Sequence, residues 1–281
     1  MQTLLVANPK GGSGKTTLAT NVAGWLAGRK QRVVLADLDP LRSATEWIAR
    51  RPPMFPPVGG WTPSSRKDDL RERNPHWLII DTPAALHGEE LRDAMRRADI
   101  LLVPVSPSAF DMGATQHFFD QIGEYKAVKK GEIAIGLIAM RVDPRTHSAG
   151  ELEEFLTAFE FPLVAHLRQT QVYVHCARDG LSVFDLPRSR AEQDWEQWRP
   201  LTRWIARHNP VKNARSDGES HEDAFDRPFP HRFVARGNAV WLHVARASAG
   251  NIRQTDTDSR RLRCRRNRRP DRARRCRETQ G

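Results

Sequence analysis

Cysteine is scarce in this chain. Three occur in 281 residues, Cys176, Cys264 and Cys276, with no Cys-x-x-Cys spacing and no histidine set beside them. A disulfide framework, a structural zinc site and a cysteine-held iron–sulfur cluster are thereby excluded, and a reducing compartment is expected. Long apolar runs are lacking too: no stretch approaches the roughly 18 consecutive apolar residues that span a bilayer. The opening MQTLLVANPKGG has no basic n-region, and its apolar run is too short for a secretory signal. A soluble cytoplasmic protein with no membrane partner is the expectation.

Hydrophobic residues, at 39%, are few for a globule of this length, so part of the chain is expected to stay outside any core. The charge is distributed in the same uneven way. From Lys212 to Gly281 there are 17 Arg and 1 Lys against 9 acidic residues, a net of +9, whereas the first 211 residues hold 27 basic and 25 acidic groups, a net of +2. The end of the chain, RRLRCRRNRRPDRARRC, has no apolar periodicity and too little apolar surface to offset its ordering entropy. Two readings stay open for residues 210–281: a disordered basic arm that binds nucleic acid, or a segment never selected for function.

The part that can fold is residues 1–209. Short apolar runs recur there: LLVAN (Leu4–Asn8), VVLADLD (Val33–Asp39), WLIID (Trp77–Asp81), ILLVPV (Ile100–Val105), IAIGLIAM (Ile133–Met140) and LVAHL (Leu163–Leu167). They are continuous rather than alternating, as strands buried on both faces of a parallel sheet are. Stretches of helical length separate them, among them Thr16–Ala27, Glu89–Arg96, Gly113–Lys126 and Glu151–Phe159. Strand alternating with helix implies an α/β, doubly wound, mostly parallel sheet flanked by helices. Residues Arg50–Lys67 hold five prolines and read as a loop between the second and third strands. Trp195, Trp198, Leu201 and Ile205 mark a last helix interrupted by Pro200.

The chemistry concentrates in NPKGGSGKTT, Asn8–Thr17. The ordinary phosphate loop is G-x-x-x-x-G-K-[ST], and here Pro9 stands where its first glycine would be. Gly11, Gly12 and Gly14 still let backbone N–H groups converge on phosphate oxygens, with Ser13 among them. The loop follows a strand and opens a helix whose dipole favours an anion. Lys15 is placed for the β- and γ-phosphates, Thr16 for a magnesium ion, and Thr17 for the α-phosphate. Asp37 and Asp39 end the second strand, and Asp81 closes a run of apolar residues. Each stands where a carboxylate supports a metal-bound water or caps the following helix.

The motifs K-G-G-x-G-K-T-T, D-x-D-P followed by Ser43 and Trp47, and D-T-P-A resemble the deviant Walker family of ParA and MinD ATPases. The stretches ADILLVPVSPSAFDM and ARDGLSVFDL resemble its short ParA-type partition members, and the resemblance runs over about residues 1–209. It implies a Mg²⁺-dependent ATPase that forms a homodimer with ATP. In it Lys10 reaches the phosphates held by the other subunit, Asp39 positions the attacking water, and Asp37 and Asp81 support the magnesium. It further implies slow hydrolysis accelerated by a ParB-like centromere-binding or adaptor protein, and nucleoid association through non-specific DNA binding. Arg168, Arg199 and Arg203 match the family's DNA-contacting positions, and each reads equally well as a surface arginine. The family's usual glutamine after D-x-D-P is replaced here by Leu41. A MinD-like membrane switch and a metabolic synthetase of the same superfamily are the alternative functions.

Overall fold

The computed structural model describes residues 1–66, 68–84 and 86–208. The Arg-rich segment and the boundary before it lie outside the described residues. Among the described residues seven strands form: β1 (Gln2–Val6), β2 (Val33–Asp37), β3 (Gly59–Trp61), β4 (Trp77–Asp81), β5 (Ile100–Val105), β6 (Ala134–Val142) and β7 (Leu163–Arg168). Between and after them run α1 (Lys15–Gly28), α2 (Ser43–Arg50), α3 (Asp68–Arg73), α4 (Gly88–Met95), α5 (Ala109–Gly123), α6 (Lys126–Lys129), α7 (His147–Thr157), α8 (Gln171–Asp179) and α9 (Arg188–Arg207). All strands pair in parallel, in the order β3-β2-β4-β1-β5-β6-β7.

Successive strand residues face opposite layers, which is why the apolar runs had to be continuous. Leu5, Val34, Ile80 and Leu101 meet Leu70, Leu91, Phe118 and Leu152 on one side. Leu4, Leu35, Ile79 and Leu102 meet Leu18, Val22, Trp47 and Trp198 on the other. Both faces of the sheet are therefore covered, as the sequence implies.

Two expectations are corrected. The proline-rich segment is not wholly a loop, because it contains β3, an edge strand pairing Gly59 and Gly60 with Val34 and Leu35. Two glycines bring no side chains to signal a strand, so this one exists only by virtue of its neighbour β2. Pro200 does not interrupt the last helix, which runs on to Arg207 and is non-helical only at Ala191 (φ −135°, ψ 19°). The magnitudes explain why. A mid-helix proline costs about 3 kcal/mol, whereas Trp198, Leu201 and Ile205, all fully buried around it, stabilise by about 1.5–3 kcal/mol each.

The second half of the fold locks onto the first at Gly180, which caps α8 in the left-handed region (φ 68°). A Cβ there would stand 2.5 Å from Arg50 C and Arg51 N, rigid backbone that cannot yield. Beside it Arg51 makes a buried bidentate ion pair with Asp185, at 2.9 and 3.0 Å. Gly180→Ala combines a backbone penalty of about 1 kcal/mol with overpacking of about 1–3 kcal/mol. The expected result is a fall in Tm of roughly 5–15 °C by calorimetry; an unchanged Tm would refute this packing account.

Candidate functional site

β1 lies in the middle of the sheet, between β4 and β5, and strand order reverses around it. Ligands of such sheets bind at the carboxyl ends of the strands, at this switch point. Register brings the acidic ends together: Val6 pairs with Asp81, and Asp81 with Asp37. The glycine-rich loop leaves β1 directly above them.

The loop is pinned by a residue that sequence reading did not single out. Asn8 is buried, and its Nδ2 donates to the Pro104 carbonyl at 2.8 Å and to Thr115 Oγ1 at 3.2 Å. Its Oδ1 accepts from the Lys10 backbone N–H at 2.8 Å. The only signal for this was a polar side chain closing an apolar run. Gly12 and Gly14 take φ of 78° and 98°, where a side chain is strained. At Gly14 a Cβ would also sit 2.7 Å from Met140 Cε. Gly14 caps α1 without a side-chain hydrogen bond, and the first turn has no acidic residue. The helix N-terminus thus keeps its backbone donors for an anion.

Lys15 is buried, with Nζ donating to the Lys10 carbonyl at 2.9 Å. Burial pushes its pKa below the usual lysine range, opposed by the nearby charges of Asp81, Asp39 and Asp111. Thr16 and Thr17 follow, both half-buried. Asp81 is fully buried, and neither carboxylate oxygen has a hydrogen-bond partner of good geometry among the described residues. Burial raises its pKa to about 7; the Thr16 hydroxyl is near enough to oppose the rise in part. An orphaned buried carboxylate beside the phosphate lysine and the Thr16 hydroxyl is a donor set for a hydrated magnesium ion. No three carboxylate, imidazole or thiolate groups among the described residues converge on a metal by themselves. That too fits magnesium, which takes one or two carboxylates and fills its shell with water and phosphate oxygens.

The other aspartates divide. Asp37 is engaged on both oxygens: Oδ2 accepts from the Thr45 backbone N–H at 2.7 Å and its hydroxyl at 2.8 Å, and Oδ1 from Asp39 N at 3.1 Å. It therefore caps the start of α2, the alternative the sequence left open, while burial lifts its pKa. Asp39 is half-buried and its Oδ1 accepts from the Leu41 backbone N–H at 2.9 Å. That bond needs no particular side chain at Leu41, which is 66% exposed. Lys10 reaches outward, its Nζ 5.9 Å from the ring of the exposed Phe110. Two further buried hydroxyls, Ser13 Oγ and Ser106 Oγ at the end of β5, have no partner among the described residues. Ser106 was not anticipated, since a serine after an apolar run carries no pattern of its own.

The three arginines matched to DNA contacts all lie on or against α9, where Arg199 and Arg203 are exposed four residues apart on one face. Arg168 ends β7 at the loop edge, in a bidentate pair with the fully buried Asp194 at 2.8 and 3.1 Å. Arg199 pairs with Glu196 at 3.3 Å, and Arg203 is exposed one turn from the opposite end of α9.

A parallel sheet with a left-handed glycine turn, a buried lysine and an open helix N-terminus over its switch point defines a nucleotide-binding domain of the P-loop class. More particularly, the chain belongs to the CobQ/CobB/MinD/ParA nucleotide binding domain family, whose model matches residues 4–183. It is 29% identical over 199 residues to maintenance of carboxysome distribution protein A of Halothiobacillus neapolitanus, covering 68% of this chain and 91% of that one. It is 27% identical over 188 residues to the chromosome-partitioning ATPase Soj of Thermus thermophilus, covering 55% and 75%. Among solved structures, a Cyanothece McdA variant in complex with ATP superposes with a TM-score of 0.55 at 18% identity, covering 79% of this chain and 99% of the other. No helix among the described residues is long and apolar enough to cross a membrane.

Proposed function

We propose that this chain is an ATP-dependent dimerising ATPase that binds DNA without sequence preference and positions a cargo by slow, partner-stimulated hydrolysis. The observation that carries the reading is Lys10. Lys15 already supplies the buried cation of the loop, while Lys10 is half-buried and holds its Nζ over the exposed Phe110 ring. Two nucleotides facing each other across a dimer bring many negative charges together, and a cation crossing from each side neutralises them. The names of the relatives support a positioning role, and the McdA complex supports ATP as the ligand.

Loop N–H groups from Gly11 to Thr17 and the Lys15 ammonium hold the phosphates. Thr16 and Asp81 hold the magnesium, which when bound neutralises the phosphate oxygens. Asp37 keeps α2 in place, and with it the backbone that carries Asp39. Asp39 orients the attacking water. No glutamate stands in these sequence motifs as a general base, so turnover is slow until a ParB-like or adaptor partner completes the site.

The test is retention of the protein on arbitrary DNA with ATP, ADP and no nucleotide. Retention with ATP alone supports the reading. Asp39→Ala is expected to bind ATP and stay on DNA while turnover falls at least about a hundredfold, the smaller end of what a catalytic proton-handling group contributes. Undiminished turnover, or retention indifferent to nucleotide, would sink it.

A further inference from the structure

In a parallel sheet every helix that precedes a strand ends at one edge, the edge where the strands begin. The last turns of α1, α2, α3, α4, α6 and α7, the loops after them and the end of α9 comprise residues 25–32, 47–58, 70–76, 92–99, 126–133, 154–162 and 204–208. These segments hold 14 basic and 6 acidic residues, a net of +8, or +7 with Arg51 set aside as neutralised by its buried pair with Asp185. The rest of residues 1–208 holds 13 basic and 19 acidic, a net of −6. A chain almost neutral in sum is therefore strongly polarised along its strands.

The positive edge is also shaped. A cleft of about 420 Å³ opens on it, walled by Trp25, Arg29, Lys30, Gln31, Trp77 and Ala206. Arg29, Lys30 and Arg207 are exposed there, and the Arg29 guanidinium rests 5.5 Å from the Trp25 ring, so its cation is held outward. The chain leaves the described structure from this edge, after His208, into a segment of net charge +9. Cations at helix ends complement the helix dipole, but each such contact is worth only about 0.3–1 kcal/mol and does not require a shared edge.

We propose that the edge where the strands begin is the surface that grips the phosphodiester backbone of duplex DNA. This rests on the DNA-binding reading above and relocates its contacts. Arg168 is locked to the buried Asp194, Arg199 makes only an exposed pair with Glu196, and Arg203 is exposed about one turn from this edge and adds to it. If the nucleotide edges of two protomers face each other, the opposite edge of each stays accessible, and the ATP dimer offers DNA two such edges where a monomer offers one, so retention rises with ATP. Phosphate contact by point charges accounts for the absence of any base-reading motif.

The experiment is DNA binding by the full chain with ATP over a salt series. Three proteins are compared: wild type, the triple variant Arg29→Ala/Lys30→Ala/Arg207→Ala, and the charge-keeping Arg29→Lys/Arg207→Lys. The triple variant is expected to lose at least about tenfold in affinity near 0.1 M salt, and about 2–3 in the slope of log affinity against log salt. Basal ATPase activity should be retained and the lysine variant should bind like wild type. DNA binding by wild type that the triple variant leaves unaltered overturns the assignment while sparing the DNA reading. Absence of ATP-dependent DNA binding by wild type overturns both. Capture of wild type by phosphatidylglycerol vesicles in preference to DNA, abolished in the triple variant, overturns the assignment in favour of a membrane surface.

Discussion

Lys15→Ala is expected to lower nucleotide affinity at least about a hundredfold, while Lys10→Ala is expected to change it by no more than a few-fold and to abolish dimerisation. The two lysines share a loop, so the difference comes from where the chain places them. Lys15 is buried above Asp81 with its ammonium within the loop. Losing it removes two charge-assisted hydrogen bonds, to the β- and γ-phosphates, of about 1.5–3 kcal/mol each, which together is the hundredfold or more. Lys10 makes only a cation–π contact with exposed Phe110, worth about 0.5–1 kcal/mol. A phosphate oxygen offered by a second protomer outcompetes that contact. Equilibrium titration with a fluorescent ATP analogue reads the first effect, and light scattering with and without ATP reads the second. A Lys10→Ala protein that dimerises normally with ATP would remove the main support for the two-nucleotide dimer.

The other large effect is a stability profile inverted at one carboxyl. Asp81 titrates at about 7 in the folded chain because burial disfavours its charge, against an ordinary value of 3.8. The raised value means that the fold binds this proton more tightly than the unfolded chain does. Its contribution is fully present below about pH 4, declines between about pH 4 and 7, and is absent above. Integrated, the loss is at most about 4 kcal/mol at 1.36 kcal/mol per unit. Asp81→Asn cannot ionise, so the nucleotide-free variant should be more stable than wild type at pH 8 and not at pH 4. An unpaired buried amide reduces that gain by about 1–3 kcal/mol. The same variant should lose magnesium-dependent nucleotide binding, because the negative charge is what the ion requires. Thermal melts in a chelator at both pH values check this. A wild type matching the variant in its pH dependence would mean that Asp81 is ionised without cost, contrary to its burial.

How far the sequence was legible follows from the kind of signal each feature leaves. The strands β1, β2, β4 and β5 read directly, because burial on both faces demands unbroken apolar runs. The loop read directly too, since glycine, lysine and threonine at those spacings answer to the geometry of phosphate. β3 did not, because Gly59 and Gly60 contribute only backbone hydrogen bonds to a strand already present. The continuity of α9 through Pro200 was misread for a related reason. Local chemistry argues for a break there, and burial of Trp198, Leu201 and Ile205 outweighs it. Asn8 and Ser106 gave no pattern, since Asn8 is notable for the β5 and α5 atoms it bonds and Ser106 for a buried hydroxyl without a partner among the described residues.

The amino-acid sequence by itself determined that this chain is a parallel α/β domain with a phosphate loop carrying a second lysine. Those properties depend on residue type and short-range spacing, which a chain displays before it folds. Only the tertiary structure decided which carboxylate oxygens are already engaged by hydrogen bonds. Asp37 and Asp81 end neighbouring strands in identical register, yet both oxygens of Asp37 are engaged at the start of α2 and by Asp39 N, while neither oxygen of the buried Asp81 has a hydrogen-bond partner of good geometry among the described residues. It also decided where the charge lies, because the parallel topology collects helix ends scattered over some 180 residues onto one edge. Hydrogen-bond partners and surface fields are set by distance in space, and that distance exists only once the chain has folded.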